Sequence, residues 1–147
     1  MPSAVRVVLD TNVAVSALLF GGVPQQLLDL GRIGEIELCT SELLLDELDG
    51  VLHRSKFARR FSKNRPVTPA FLVRRYTLLT TNIALGPIER VVPSDADDDV
   101  VIATAVAAGA KLIVSGDSDL LVLHPFRGMQ ILLPAEALRL VTEDRPC

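Results

Sequence analysis

The sequence has few of the residues that form disulfide-rich or zinc-binding proteins. It contains 2 cysteines among 147 residues, at positions 39 and 147. This number and spacing exclude a disulfide framework and the usual zinc motifs. We expect Cys39, at the end of an apolar segment, to lie in the core and Cys147 to carry a free thiol. Because disulfides are scarce in reducing compartments, the composition favours a cytoplasmic protein.

The sequence also lacks the segments that direct a chain to a membrane. No basic stretch followed by an apolar stretch resembles a signal peptide. The longest stretch without a charged side chain, residues 11–28, contains Gly21, Gly22 and Pro24, which would interrupt a membrane-spanning helix. We therefore expect a soluble protein with no membrane partner.

Positive charge is concentrated in one part of the chain. The sequence has 15 basic and 18 acidic residues, a net charge of -3 that does not by itself indicate a nucleic-acid-binding protein. However, 8 of the basic residues fall between positions 54 and 75, and no acid occurs between Asp49 and Glu89. In most proteins such a run is a solvated face; the alternative is a track for a phosphate backbone. The residues assigned to this track, called the basic run below, are Arg54, Lys56, Arg59, Arg60 and Lys63.

Short β-branched runs alternate with helical patterns along the whole chain. Strands are predicted at residues 5–9, 36–39, 111–115 and 129–133, and helices at 13–20, 25–30, 42–54, 70–80, 96–108 and 134–141. Apolar residues make up 49% of the sequence, as expected for strands buried on both faces. The pattern predicts a single domain over residues 1–147, a three-layer α/β/α sandwich with a mainly parallel central sheet.

Four carboxylates fall within the five positions from Asp95 to Asp99, directly before an apolar helix. An acidic helix start would account for them, because a helix N-terminus favours negative charge. Asp99 is harder to explain in this way, since it shares a helical face with Ile102 and Val106. An acid on an apolar face needs a partner, and a metal ion is one such partner. This segment alone leaves both interpretations open.

Acids from separate segments are predicted to meet at one edge of the sheet. Asp10 follows the first strand, and Asp117 and Asp119 follow the strand at 111–115. Parallel strands place their carboxyl ends at the same edge, where α/β proteins bind ligands. Glu47 and Asp99 approach this edge from helices that pack on the sheet. Carboxylates without cysteine or histidine favour Mg²⁺ or Mn²⁺, and the chemistry that such a site suits is phosphodiester hydrolysis.

Four segments of the chain resemble the PIN-domain nucleases, in particular the prokaryotic toxin components related to VapC. Residues 8–13 and 16–19 resemble the opening strand with its first acid, and residues 41–48 the helix that carries a glutamate. Residues 97–105 resemble the third motif, with Asp99 at the family acid, and residues 114–121 the fourth. Each motif is weak alone, but together and in this order they are specific, over about the first 135 residues. One departure is Ser115, where the family more often has threonine; serine keeps the hydroxyl.

The resemblance implies an Mg²⁺- or Mn²⁺-dependent endoribonuclease, often a homodimer and often silenced by an antitoxin protein. The RNA substrate would lie along the basic run defined above. The predicted catalytic residues, which are also metal ligands, are Asp10, Glu47, Asp99 and Asp117, with Asp119 as a further or alternative metal ligand.

The polar residues near the predicted ligands are expected either to hydrogen-bond to those ligands or to be exposed to solvent. Asn12 and Ser115 are predicted to hydrogen-bond around the metal ligands. Asp46 falls on the polar face of its helix, and Asp97 and Asp98 are interpreted as solvated residues of the helix start. His53 and His124 are far in sequence from the motif acids and are predicted to be ordinary surface or loop residues.

Two other functions compete with the nuclease. A catalytically silent PIN-like domain that binds RNA or a partner would lack one of the acids, and this chain has all of them. A receiver-type phosphoacceptor domain would carry an acid pair after its first strand, which residues 10–12 do not match. The helices at 13–20 and 25–30, which carry almost no charge, are expected to leave apolar surface that one sheet face cannot cover, so we predict a homodimer.

Overall fold

A five-stranded parallel sheet forms the centre of the structure, a computed structural model that describes residues 4–54, 67–92 and 95–143. The strands are β1 (Val5–Leu9), β2 (Ile36–Thr40), β3 (Thr81–Asn82), β4 (Leu112–Val114) and β5 (Gln130–Leu132). The helices are α1 (Thr11–Leu19), α2 (Gly22–Arg32), α3 (Glu42–Leu52), α4 (Pro69–Leu79), α5 (Ala96–Ala108), α6 (Ser118–Leu121) and α7 (Pro134–Glu143). The strand order is β3-β2-β1-β4-β5, and every neighbouring pair is parallel.

Helices cover both faces of this sheet. Val7 and Leu9 of β1 point into one core cluster, which α1, α2, α3, α4 and α7 complete. Val8 points into the other cluster, to which α5 contributes most of the helical side chains. Because alternate residues of a strand face opposite sides, both sides of β1 must be apolar. The predicted three-layer α/β/α sandwich with a parallel sheet is therefore confirmed.

Polar side chains begin the helices at the carboxyl edge of the sheet. Asp10 caps α1, Ser41 caps α3, Asp95 caps α5 and Asp117 caps α6, each by accepting a hydrogen bond from a backbone N–H of its helix. At its other end α5 stops at Gly109, whose φ of 65° lies in the left-handed region that glycine adopts without strain. The sequence predicted this end of α5 correctly.

Two short elements were missed by the sequence-based prediction. β3 has 2 residues and α6 has 4, lengths over which no periodic pattern can be recognised.

No single helix among the described residues is long and apolar enough to cross a bilayer. The helices α1 and α2 pass such a test only as a pair, and their axes are bent by 92° at the break between them.

The apolar faces of α1 and α2 are covered within one chain. In α1 and α2 the covered residues include Ala17, which is 4% exposed, and Leu28, which is 2% exposed. The prediction that these helices leave a large apolar surface is therefore wrong, because they pack on each other and on α3, α4 and α7. The exposed apolar side chains include Phe20 and Ile33, at the C-terminal ends of α1 and α2, and Phe71 and Leu78 on α4. The homodimer itself stays a prediction.

Most of the basic run lies in the part of the chain that the structure does not describe. Arg54 is exposed directly after α3, whereas Lys56, Arg59, Arg60 and Lys63 fall outside the described residues, as does Cys147. Cys39 is fully buried in the core, as predicted.

Candidate metal centre

Asp10 lies at the carboxyl end of β1, where the chain turns into α1. Its backbone N–H donates to the Val114 carbonyl oxygen at 2.9 Å, which ties the end of β1 to β4. Its carboxylate accepts one hydrogen bond from the Thr11 N–H and one from the Ser115 hydroxyl, each at 2.8 Å. Burial raises the pKa of Asp10 and outweighs these two hydrogen bonds, and the charge of Asp117 raises it further.

Ser115 connects Asp10 with Asp117. The Ser115 side chain is fully buried; its hydroxyl donates to Asp10 Oδ2 and accepts the backbone N–H of Asp117 at 2.9 Å. The Asp117 carboxylate in turn accepts the backbone N–H of Asp119 at 2.9 Å. These contacts fix the two acids at the ends of β1 and β4 relative to each other. The hydrogen-bonding role predicted for Ser115 agrees with this geometry.

Asp98 joins these acids from the first turn of α5. Its side chain is 4% exposed, so the prediction that Asp98 is solvated is wrong. Its Oδ2 is one of the buried oxygens that have no hydrogen-bond partner in the described part of the chain. Burial, followed by the carboxylates of Asp117, Asp95 and Asp10, raises the pKa of Asp98 to about 8. Asp98 is thus the most strongly perturbed carboxylate at this edge of the sheet.

The carboxylates of Asp10, Asp98 and Asp117 form one group. Each offers an oxygen within 4.8 Å of those of the other two, and across residues 4–54, 67–92 and 95–143 no other three acids, histidines or cysteines come so close. Ionised carboxylates only accept hydrogen bonds, so adjacent oxygens of Asp98 and Asp117 require a proton or a cation between them. Three oxygen donors with one unpartnered buried oxygen fit a hard divalent ion such as Mg²⁺ or Mn²⁺.

Glu47 approaches the same edge from α3. It is half-buried, whereas its neighbour Asp46 is exposed, as the helical spacing predicted. Burial and the charge of Asp97 raise the pKa of Glu47 to about 7, and the Thr11 hydroxyl beside it opposes this rise. Thr11 Oγ1 is itself buried and, among the residues that the structure describes, has no hydrogen bond of good geometry. Glu47 therefore faces the site, although it lies outside the three-carboxylate group.

Asp99, the predicted third ligand, does not join this group. Its Oδ1 accepts the backbone N–H groups of Val91 and Val92 at 2.7 and 2.6 Å, and its Oδ2 pairs with Arg90 Nε at 2.8 Å. Burial raises the pKa of Asp99, but these two hydrogen bonds and the Arg90 charge together lower it below its usual value. The partner that this buried acid needs is thus the segment 90–92. Asp98 thus takes the place in the three-carboxylate group that the sequence analysis assigned to Asp99.

The remaining predicted residues lie at the periphery. Asp119 and Asn12 are exposed, and the Asp119 carboxylate is not part of the three-carboxylate group. His124 Nδ1 accepts the backbone N–H of Ile131, and the His53 ring lies against the Asp49 backbone. Both histidines make local contacts, which agrees with their prediction as ordinary residues.

Comparisons with known proteins agree with this architecture. The family model described as PIN domain matches residues 6–119. A crystal structure of VapBC2 from Rickettsia felis, bound to a DNA fragment from their promoter, contains a chain of similar fold, with a TM-score of 0.58 and 14% sequence identity. The match covers 86% of this chain and 96% of that one. No curated protein matches the chain. At this identity the solved structure supports the fold alone.

Proposed function

Because the chain belongs to the PIN domain family, we propose that it is a metal-dependent nuclease that hydrolyses the phosphodiester bonds of RNA. The observation that carries this proposal is the group of Asp10, Asp98 and Asp117, whose oxygens lie within 4.8 Å of one another. Two of these acids are almost completely buried, where repulsion between ionised carboxylates is strong. A bound cation would offset this repulsion, and this is the simplest explanation for a buried group of three carboxylates.

Asp10, Asp98 and Asp117 would hold Mg²⁺ or Mn²⁺. Once bound, such an ion neutralises a phosphate and lowers the pKa of a nearby water molecule. Ser115 orients two of these ligands. Its hydroxyl donates to the Asp10 carboxylate and accepts the backbone N–H of Asp117, which fixes both residues. A preorganised set of ligands needs no rearrangement when the substrate arrives.

Glu47 fits a separate role in proton transfer. Its pKa of about 7 lets it exist in both protonation states near neutral pH. It stands close enough to Asp10 for that charge to contribute to the shift, yet outside the three-carboxylate group. We assign Glu47 to orienting or deprotonating the water that attacks the phosphate.

We also propose that the chain is the toxin of a toxin–antitoxin pair. The motifs around Asp10, Glu47 and Asp117 resemble VapC toxins, and the similar fold occurs in VapBC2, which binds DNA from its own promoter. An antitoxin protein is then the expected partner, and a homodimer the expected assembly. The basic run beginning at Arg54 would follow the RNA backbone and supply binding that does not depend on sequence.

Cleavage of a panel of structured and unstructured RNAs tests this function. We expect cleavage with Mg²⁺ or Mn²⁺, none with EDTA, and none by Asp98→Asn in any condition. The matched control is Asp46→Asn, an exposed acid one position from Glu47, which should cleave like the wild type. RNA binding without metal-dependent cleavage would contradict the proposal and favour the catalytically silent PIN-like domain.

A further inference from the structure

A recess of about 490 Å³ lies at the β3 end of the sheet edge that carries the acids. It lies between the first turn of α3 and the segment that follows β3. Its lining combines apolar side chains with one amide and one carboxylate, namely Leu43, Ile83, Leu85 and Ile88 with Asn82 and Glu42. Leu43 is 47% exposed, so an apolar side chain stands open to solvent here.

The recess begins one helical turn from Glu47, the α3 acid that faces the candidate metal centre. Leu43 and Glu47 are four residues apart on α3, and side chains at this spacing lie on one face about 6 Å apart. Side chains of a helix lean toward its N-terminus, so the Glu47 side chain leans toward Leu43. In the sheet, Thr40 of β2 pairs with Asn82 of β3, which brings Asn82 to the same edge. The recess and Glu47 therefore lie at neighbouring positions along α3, on the sheet edge that carries the acids.

The polar groups of the recess present a pattern that suits a nucleobase. Asn82 Nδ2 donates to Glu42 Oε1 at 3.4 Å; with respect to the described residues, one N–H and the carbonyl oxygen of the amide remain available. An adjacent donor and acceptor on one amide match a ring nitrogen and the amino group next to it, as asparagine does with adenine. The second oxygen of Glu42 is a further acceptor for an amino group. The negative charge of Glu42 disfavours a phosphate in the same place.

We propose that this recess binds one unpaired nucleobase of the RNA whose scissile phosphate lies at Asp10, Asp98 and Asp117. The inference rests on the proposed ribonuclease function and adds a specificity site to it. Unpaired bases are the parts of RNA that proteins read by stacking and by hydrogen bonds to the base edge. Adenine and cytosine, which carry an amino group beside a ring acceptor, fit the recess better than uracil.

Cleavage of RNAs that lack a single base tests the recess. After the cleaved bond is mapped in a defined RNA, an abasic nucleotide is placed at each successive position around it. A good bidentate pair contributes a factor of about 5 to 150, so we expect the wild type to lose about 5- to 150-fold in single-turnover rate at one position close to the cleaved bond. Replacing adenine by uracil at that position should cause a smaller loss in rate.

The double variant Leu43→Ala, Asn82→Ala should cleave the intact RNA more slowly and should be insensitive to the abasic nucleotide at that position. Both side chains are exposed, so folding should be preserved, and thermal unfolding checks this. Leu78→Ala is the matched control, since Leu78 is 77% exposed on α4 and does not line the recess. It should retain the full abasic penalty.

A binding readout separates recognition from catalysis. In EDTA, the side-chain amide resonance of Asn82 should shift when an adenine-containing trinucleotide is added, and should shift less with its abasic analogue. Two results would refute base binding by the recess while leaving the proposed nuclease function in place. One is RNA cleavage without any position-specific abasic penalty, and the other is a penalty that persists in the double variant. Failure to cleave any RNA with Mg²⁺ or Mn²⁺ overturns both proposals together.

Discussion

Replacing Asp98 or Asp99 by asparagine removes the same charge at adjacent positions, yet the structure predicts opposite effects on stability. Both side chains are almost completely buried, at 4% and 1% exposure. Asp98 faces other carboxylates and has an oxygen without a hydrogen-bond partner among the described residues. Asp99 accepts two backbone hydrogen bonds at Oδ1, and its Oδ2, which likewise has no hydrogen bond among the described residues, forms an ion pair with Arg90. Asp98→Asn therefore relieves repulsion between carboxylates, whereas Asp99→Asn weakens favourable contacts with backbone N–H groups and Arg90.

Asp98→Asn should stabilise the metal-free protein at pH 7. In the folded protein the pKa of Asp98 is raised from 3.8 to about 8, so the wild type must take up a proton or accept repulsion when it folds. Each pKa unit corresponds to about 1.4 kcal/mol, and after partial relaxation of the coupled acids a gain on the order of 2 kcal/mol remains. For a domain of this size that gain corresponds to a rise in Tm of roughly 4–8 °C.

Asp99→Asn should destabilise the protein by a similar amount. Hydrogen bonds to a charged acceptor contribute about 1.5–3 kcal/mol, against about 0.5–1.5 kcal/mol for a neutral one. The amide keeps one acceptor for Val91 and Val92, but it carries no charge and so loses the ion pair with Arg90. Arg90 is 62% exposed, so its ion pair adds little after screening by solvent. We expect a loss of about 2 kcal/mol and a fall in Tm of roughly 4–8 °C.

Thermal unfolding in EDTA and in Mn²⁺ measures both effects. Binding of an ion to the folded state raises the Tm of the wild type, and this rise should vanish in Asp98→Asn and persist in Asp99→Asn. If Asp99→Asn instead abolished the metal response while Asp98→Asn kept it, Asp99 would be the ligand. Equal destabilisation by both substitutions would refute the argument that the carboxylates repel at Asp98.

Two further predictions concern the acids and Ser115, and two concern the basic run and the assembly. Because the pKa values of Asp98 and Glu47 are raised to about 8 and about 7, the stability these groups contribute is complete at low pH and is lost as pH rises. The metal-free Tm should therefore fall between about pH 5 and 8, with Mn²⁺ removing most of the decline, and a flat profile would contradict the shifts. Ser115→Ala should lower the steady-state cleavage rate about 10- to 100-fold while Ser115→Thr restores it, and an alanine variant as active as wild type would show that the hydroxyl is dispensable. Neutralising Lys56 and Arg59 should weaken RNA binding across all sequences and flatten its salt dependence by about 0.7 per lost contact; an unchanged slope would make the run a solvated face. Light scattering at micromolar concentration should give twice the mass of the chain, and a monomer mass would exclude the homodimer.

The fold was predictable from the sequence because each signal is local. The run Val5–Leu9 ends at Asp10, and alternating strands and helices leave few arrangements other than a parallel sheet with helices on both faces. The ends of parallel strands then place Asp10 and Asp117 at one edge. The spacing along α3 was enough to choose Glu47 over Asp46, since only one of the two can lie beside the buried stripe.

The choice between Asp98 and Asp99 needed the tertiary structure. The helix α5 is apolar on nearly all sides, so either acid aligns with apolar residues at helical spacing. In the fold, Ala105 on the Asp98 side is fully buried, whereas Val106 on the Asp99 side is 45% exposed. The N–H groups that satisfy Asp99 come from the segment 90–92, whose position no sequence pattern shows. The recess was missed for a similar reason, because Asn82 belongs to a strand of 2 residues.

Anomalous diffraction from crystals grown with Mn²⁺ tests the central claim most directly. We expect one anomalous peak within coordination distance of Asp10, Asp98 and Asp117 and none beside Asp99. A peak at Asp99 and the segment 90–92, or an empty three-carboxylate group at saturating Mn²⁺, would contradict the metal centre and the nuclease mechanism built on it.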